Sequence, residues 1–161
     1  MKAVVIYESA WGNTAAIARA IAEGIGDGAV ALRPKEATPE RLAGVDLIVG
    51  GAPLLGFSLP TEQMRESLRN QPSGPPADLS GGSMRAWLAA LPAGTGRGAG
   101  FETRIWWSPG SAAKAIAKGL EAAGYATDGA VEKFIVTDRF GPLKDGELER
   151  AKAWGAKLAR G

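Results

Sequence analysis

Short apolar runs rich in β-branched residues alternate with helical segments along this chain. Residues 3–7 (Ala-Val-Val-Ile-Tyr) show no alternation of apolar and polar side chains, which predicts a strand buried on both faces. In residues 14–26, Ile17, Ile21 and Ile25 recur every four residues, which predicts a helix with one apolar face. Strands that alternate with such helices form a parallel sheet, so this pattern constrains the fold more than any other feature.

The alternation of strand and helix occurs five times. Further strands are predicted at residues 29–32, 45–49, 98–104 and 133–136, with the strand at 45–49 closed by Gly50-Gly51. Further helices are predicted to begin at Thr38-Pro39, Thr61, Ser83, Ser108-Pro109 and Asp145, the last with Leu148, Ala151, Gly155 and Leu158 on its inner face. Five such units in 161 residues predict one α/β domain over residues 1–161, a three-layer α/β/α sandwich.

Two residue types are missing, and their absence excludes several kinds of chemistry. The chain has no cysteine and no histidine. It therefore cannot build a Cys/His zinc site, a thiol nucleophile or a Ser-His-Asp triad. We expect no metal site and no catalytic residue of these kinds, so redox chemistry would require a cofactor.

The charge balance gives no sign of a nucleic-acid or membrane partner. Nineteen basic residues stand against 17 acidic ones without a dense basic run, which argues against nucleic-acid binding. No segment approaches the roughly 18–20 apolar residues of a membrane span, and the N-terminal segment turns polar too early for a secretory signal. We therefore expect a cytoplasmic protein.

The first loop, residues 8–14, has the composition of a phosphate site. Ser9, Asn13 and Thr14 offer side-chain donors, and the following helix would direct free N–H groups at the same place. The loop has no lysine or arginine, unlike the loop of P-loop NTPases, so a terminal monophosphate is expected rather than a magnesium triphosphate. The alternative is local: Gly12 forms a tight turn and Thr14 caps the helix.

Residues 7–14 (Tyr-Glu-Ser-Ala-Trp-Gly-Asn-Thr) resemble the FMN-phosphate loop of the flavodoxin family, a hydroxyl residue, two variable positions and Gly-Asn-Thr. Residues 45–53, 100–104, 110–113 and 141–143 resemble further flavodoxin segments, and the whole chain is similar to small flavodoxin-like proteins common in actinobacteria. The resemblance implies a five-stranded parallel sheet in the order 2-1-3-4-5 and FMN as cofactor.

The resemblance also implies three FMN-binding loops, at the carboxyl ends of strands 1, 3 and 4. The phosphate would be wrapped by Ser9, Ala10, Trp11, Gly12, Asn13 and Thr14. One face of the isoalloxazine would meet Pro53, Leu54, Leu55, Gly56 and Phe57, and its other face and pyrimidine edge would meet Arg104, Ile105, Trp106, Trp107, Ser108 and Gly110. Gly56 matches the glycine whose peptide rotates in flavodoxins, a change that glycine tolerates at low cost.

Three aspects of the pattern differ from flavodoxins or stay open. Leu54-Leu55 stand where flavodoxins commonly stack an aromatic ring, which leaves Trp106 or Trp107 as the expected platform. Adjacent side chains rarely face one ligand, so we expect only one of them to stack and slightly favour Trp107, while the alternative is that both cover the sheet edge. Arg104 would contact the flavin or pair with Glu102 or Glu8. Trp87 and Trp154 are expected on apolar helix faces, and Trp11 replaces a small hydroxyl residue.

Three functions are compatible with this pattern. The first is a monomeric FMN-binding electron carrier that works with a redox partner protein, a reductase or an electron acceptor. The second is an FMN-dependent quinone or porphyrinogen oxidoreductase, with the irregular residues 70–82 as a lid. The third is a flavodoxin-like binding module without flavin. The net charge of +2 is unusual for the first, because carriers of this family are usually acidic.

Overall fold

A single sheet of five parallel strands forms the centre of the computed structural model, which covers residues 1–161. The strands are β1 (Ala3–Tyr7), β2 (Val30–Leu32), β3 (Leu47–Pro53), β4 (Arg97–Ile105) and β5 (Val131–Val136). Their order is β2-β1-β3-β4-β5, and every neighbouring pair is parallel. The predicted sheet and its strand order are therefore confirmed.

Helices cover both faces of the sheet, as a three-layer sandwich requires. They are α1 (Asn13–Ile25), α2 (Pro39–Leu42), α3 (Glu62–Arg69), α4 (Met84–Ala90), α5 (Ala112–Ala122) and α6 (Glu147–Arg160), with a 3-10 turn at Pro34–Glu36. One core lies under α1 and α6, and the other lies under α4 and α5. None of these helices combines the length and the apolar character that crossing a membrane needs.

The isoleucine repeat of α1 is buried as predicted. Ile17 and Ile21 are completely inaccessible, and Ile25 is nearly so. On the same side of the sheet α1 packs tightly against α6, where Gly24 and Gly155 allow the two backbones to touch: a Cβ at either position would overlap a carbonyl of the other helix. Ala151 and Gly155, which were predicted on the inner face of α6, are buried.

The third strand is longer than predicted, because its two glycines continue it instead of closing it. β3 runs through Gly50 and Gly51 to Pro53. A Cβ on Gly50 would come within 2.7 Å of Ile116 Cγ2, and one on Gly51 would overlap the Phe101 ring. The glycines therefore mark places where neighbouring side chains lie directly on the strand backbone.

Two predicted helix starts are wrong by one or more residues. The helix expected at Ser108-Pro109 begins at Ala112, because the Ser111 hydroxyl accepts the N–H of Lys114 (3.1 Å) and so caps the helix. The last helix begins after Gly146, which adopts a left-handed φ of 87°, so Asp145 is not its cap.

Of the other helix-face predictions, one is wrong and several are confirmed. Leu148, predicted to face inward, is 45% exposed. Trp87 and Trp154 are partly buried against the two cores, as expected of apolar helix faces. Thr61 and Ser83 cap α3 and α4 by accepting backbone N–H groups of Met64 and Ala86.

Candidate functional site

The loop between β1 and α1 is folded around the hydroxyl of Ser9. Its Oγ accepts the N–H of Gly12 at 3.1 Å and that of Ala15 at 3.2 Å. Gly12, the residue before α1, has a φ of 96°, which glycine adopts without strain. The N–H groups of residues 10, 11, 13 and 14 have no acceptor within the protein, and they lie at the positive end of the α1 dipole. Such a set of donors suits an anion.

Asn13 and Thr14, at the start of α1, bond to neighbouring segments. Thr14 Oγ1 lies 2.7 Å from Thr103 Oγ1 of β4, and Thr14 is 2% exposed. Asn13 Nδ2 donates to the carbonyl of Phe140 at 3.1 Å. The local alternative for Thr14 is therefore wrong, because its hydroxyl bonds a strand and caps no helix. In the threonine pair one hydroxyl hydrogen is used between the two oxygens, and the other is free to donate.

One cavity of about 70 Å³ connects all three predicted loops. It is lined by Ser9, Ala10, Trp11, Asn13 and Thr14 after β1, by Pro53, Leu54 and Leu55 at the end of β3, by Arg104, Ile105 and Ser108 at the end of β4, and by Thr103, Val136 and Arg139. The cavity is open to solvent, and it runs from the first loop, where a phosphoryl group would have room, to the loops that follow β3 and β4.

The other predicted site residues, Gly12, Gly56, Phe57, Trp106, Trp107 and Gly110, do not line this cavity. The side chains of Phe57, Trp106 and Trp107 are exposed, with accessible fractions of 72%, 74% and 65%. The two loops that carry them touch each other, since Ser111 N–H donates to the Phe57 carbonyl at 3.0 Å. We call residues 54–58 and 105–111 the ring loops. Stacking of one tryptophan on a flavin stays a prediction.

Arg104 pairs with a buried carboxylate, as one of its two predicted roles requires. Its Nη1 lies 2.9 Å from Glu102 Oε2 and donates to the carbonyl of Gly110 at 3.0 Å. Glu102 is 1% exposed, and its Oε1 accepts the Ser111 hydroxyl and the N–H of Ala113. Glu102 thus fixes both the second ring loop and the first turn of α5.

A second buried carboxylate, Glu8, supports the first loop. Its two oxygens accept Arg65 Nη1 and the N–H of Met84, each at 2.8 Å. Burial raises the pKa of the Glu8 carboxyl above its ordinary value, because desolvation outweighs the lowering effect of these two donors. The pairing of Glu8 with Arg104, the other ion pair considered for Arg104, does not occur.

Residues 70–82 form an irregular segment that lies on the first loop. Asp78 N–H donates to the Ala10 carbonyl at 2.8 Å, Trp11 Nε1 donates to the Pro75 carbonyl at 3.2 Å, and Lys35 N–H donates to Gly81. No hydrogen bond joins this segment to the ring loops. A lid over a bound flavin, which the oxidoreductase alternative assigns to this segment, stays a prediction.

Sequence reasoning missed Arg139, which follows β5 and lines the cavity. Its guanidinium carbon lies 5.9 Å from the Trp11 ring centroid and 5.2 Å from that of Phe140. The available signal was a basic residue just beyond the fifth strand, whose carboxyl end lies at the same sheet edge as the three predicted loops.

Solved structures with this fold include several flavodoxins. A flavodoxin from the domain Archaea superposes with a TM-score of 0.67 at 22% identity, over 99% of this chain and 97% of that one. Oxidised flavodoxin 1 from Bacillus cereus gives a TM-score of 0.68 at 19% identity, over 99% and 98%. The flavodiiron core from Synechocystis gives 0.65 at 21% identity, over 99% of this chain and 35% of that one. No protein family model and no curated protein sequence matches the chain. The fold is the flavodoxin fold, as the sequence resemblance implied.

Proposed function

We propose that this chain binds FMN and transfers electrons between redox partner proteins, as a monomer in the cytoplasm. The observation that carries the proposal is the single cavity at the carboxyl ends of β1, β3 and β4. It joins a loop with free N–H groups to the two loops that the sequence resemblance assigns to the flavin ring. In parallel α/β sheets this edge, where the strand order reverses, is where ligands bind.

The phosphate end of the cavity fits a phosphate monoester. Four N–H groups without an acceptor, at residues 10, 11, 13 and 14, lie at the start of α1. The threonine pair of Thr14 and Thr103 retains one hydroxyl hydrogen to donate. Ser9 shapes the loop, because its oxygen already accepts two N–H groups.

The ring end would have to rearrange for an aromatic side chain to meet the isoalloxazine, because Phe57, Trp106 and Trp107 do not line the cavity. The backbone bond from Ser111 to Phe57 joins the ring loops, and the exposed Trp106, Trp107 and Phe57 lie on those same loops. Exposed aromatic side chains lose little packing when a loop moves, so they are suited to turn onto a flat ring. A bound flavin supplies the electron transfer, and this chain holds its phosphate and shields its ring from water.

The classes of protein to which the similar structures belong support the proposal. They are flavodoxins and flavodiiron proteins, from archaea and bacteria, and the flavodoxins among them match this chain over nearly their whole length.

The absorption spectrum of the purified protein tests this proposal. We expect flavin bands, or their shift and quenching of flavin fluorescence when FMN is added to protein stripped of flavin. A stripped chain that folds but leaves the spectrum and emission of added FMN unchanged would contradict the proposal and favour a flavin-free binding module. With FMN bound, NAD(P)H oxidation in the presence of a quinone would identify an oxidoreductase in place of a carrier.

A further inference from the structure

Arg139 is a cation that lines the cavity and was not among the predicted site residues. The loop between β1 and α1 contains no lysine or arginine. Arg139 comes from the far side of the sheet, after β5, and lines the same cavity as Ser9, Asn13 and Thr14. Its position therefore brings a positive charge to the end of the cavity whose other donors are N–H and hydroxyl groups; Arg104, the other cation of the lining, is paired with Glu102.

The guanidinium of Arg139 has no carboxylate partner. No ion pair within 4.0 Å involves it, whereas eight other ion pairs are formed in the protein. Its Nη2 donates to the amide oxygen of Gln71 at 2.6 Å, and the side chain lies near the rings of Trp11 and Phe140. Neutral partners thus hold the group in place without cancelling its charge.

The loop that carries Arg139 is attached to the start of α1. Asn13 Nδ2 donates to the Phe140 carbonyl, and the Phe140 ring meets the Trp11 ring edge-on, with centroids 4.9 Å apart. Gly141 lies so close to Asn13 that a Cβ there would approach its amide to 2.7 Å. These contacts fix residues 139–141 beside the free N–H groups of the phosphate loop.

We propose that Arg139 is the counter-charge for the terminal phosphate and makes the site specific for FMN over riboflavin; this rests on the proposed function. A guanidinium presents a planar fork of donors that matches phosphate oxygens, and a charge-assisted bond is stronger than a neutral one. Riboflavin, which lacks the phosphate, gains nothing from this charge. The preference for the phosphorylated flavin is therefore the property that Arg139 controls.

The test compares FMN and riboflavin binding to wild-type protein, Arg139→Gln and Arg139→Lys by quenching of flavin fluorescence. We expect Arg139→Gln to raise the FMN dissociation constant about tenfold or more and to leave that of riboflavin unchanged. Arg139→Lys keeps the charge but not the planar fork of donors, so its FMN dissociation constant should lie between those of the wild type and Arg139→Gln. Added salt should weaken FMN binding more in the wild type than in Arg139→Gln, because it screens the charge.

Arg69→Gln is the matched control, since it removes a positive charge from an exposed ion pair with Glu66 on α3. It should leave both affinities as in the wild type. If Arg139→Gln weakens FMN and riboflavin equally, Arg139 only packs on Trp11 and Phe140, and the inference is wrong. If Arg139→Gln keeps the full preference for FMN, it is also wrong, although the proposed function stands. A wild-type chain that binds neither flavin overturns the proposed function, and the role of Arg139 with it.

Discussion

The phosphate end and the ring end of the candidate site are built in different ways. At the phosphate end the first loop is bonded to its own helix, to β4 through Thr14, to residues 70–82 through Ala10 and to the β5 loop through Asn13. At the ring end one backbone bond joins the two loops, and their three aromatic side chains are mostly exposed. The buried supports there are Glu102, which lies behind the second ring loop, and Leu54, which begins the first and donates its N–H to the Thr103 carbonyl.

This difference indicates how binding energy would be divided. A preformed set of donors loses little conformational entropy when a ligand arrives, whereas loops that must rearrange around the ligand lose more. We therefore expect the phosphate to supply most of the affinity and the ring loops to adapt to the ring. Substitutions confined to one end of the site separate the two contributions.

The largest expected effect is on the support of the ring end. Glu102→Ala should lower the free energy of unfolding by about 3–5 kcal/mol, because it leaves Arg104 without its buried partner. Urea unfolding monitored by tryptophan fluorescence measures this. Glu66→Ala, which removes a carboxylate from an exposed ion pair, is the control and should be close to wild type. A similar small loss in both variants would mean that Glu102 does not hold this end together.

At the phosphate end, Asn13→Ala should weaken FMN about tenfold and leave riboflavin binding unchanged. The substitution removes the Nδ2 group, which donates one hydrogen to the neutral Phe140 carbonyl and has a second hydrogen available for the phosphate. A hydrogen bond to a charged group is worth about 1.5–3 kcal/mol. Titration calorimetry with both flavins measures the two affinities. Asn70→Ala, at the exposed end of α3, is the matched control. Equal weakening of FMN and riboflavin would place the effect of Asn13 outside the phosphate end.

At the ring end, Trp106→Ala and Trp107→Ala should behave differently from each other. Both side chains are exposed, so each variant should change the free energy of unfolding by less than about 0.5 kcal/mol. The one that stacks, for which we slightly favour Trp107, should weaken FMN and riboflavin alike by about 1–3 kcal/mol and restore flavin emission. If neither variant changes emission or affinity, the ring rests elsewhere, on Leu55 or Phe57.

The smallest expected effect is a pH dependence from Glu8, beneath the phosphate end. Burial raises the pKa of the Glu8 carboxyl. The folded protein therefore keeps the carboxyl proton at pH values where the unfolded chain has released it. The stability it contributes is complete below the ordinary pKa of 4.5 and is lost as pH rises through the folded pKa. Glu8→Gln removes this titration, so the free energy of unfolding of the wild type relative to the variant should fall as pH rises from 4. A constant or rising difference would show that the pKa of Glu8 is not raised.

The sheet was predictable because its signals are local and repeated. The apolar run of residues 3–7 is the buried strand β1, and the isoleucines spaced four residues apart form the buried face of α1. Gly50 and Gly51 misled the prediction, since a glycine that ends a strand and one that receives a neighbouring side chain look alike in sequence. The start of α5 was misplaced because its cap, Ser111, is held by the carboxylate of Glu102, which lies nine residues earlier on β4.

The turn between β1 and α1 was predictable, but the groups around it were not. Ser9, Asn13 and Thr14 are close in sequence, and the turn that joins them is a local feature. Arg139 lies 126 residues beyond Asn13, and only the strand order brings its loop to α1. The same holds for Glu8 and Arg65, whose side chains meet across 57 residues.

The most direct measurement of this account is a pair of calorimetric titrations of the wild-type protein, stripped of flavin, with FMN and with riboflavin. If the preformed phosphate end supplies most of the affinity, with Arg139 and Asn13 each contributing about tenfold, FMN binds at least about a hundredfold more tightly than riboflavin, a difference of about 2.8 kcal/mol. Equal affinities for the two flavins would contradict the account, because the ring loops would then supply the binding energy.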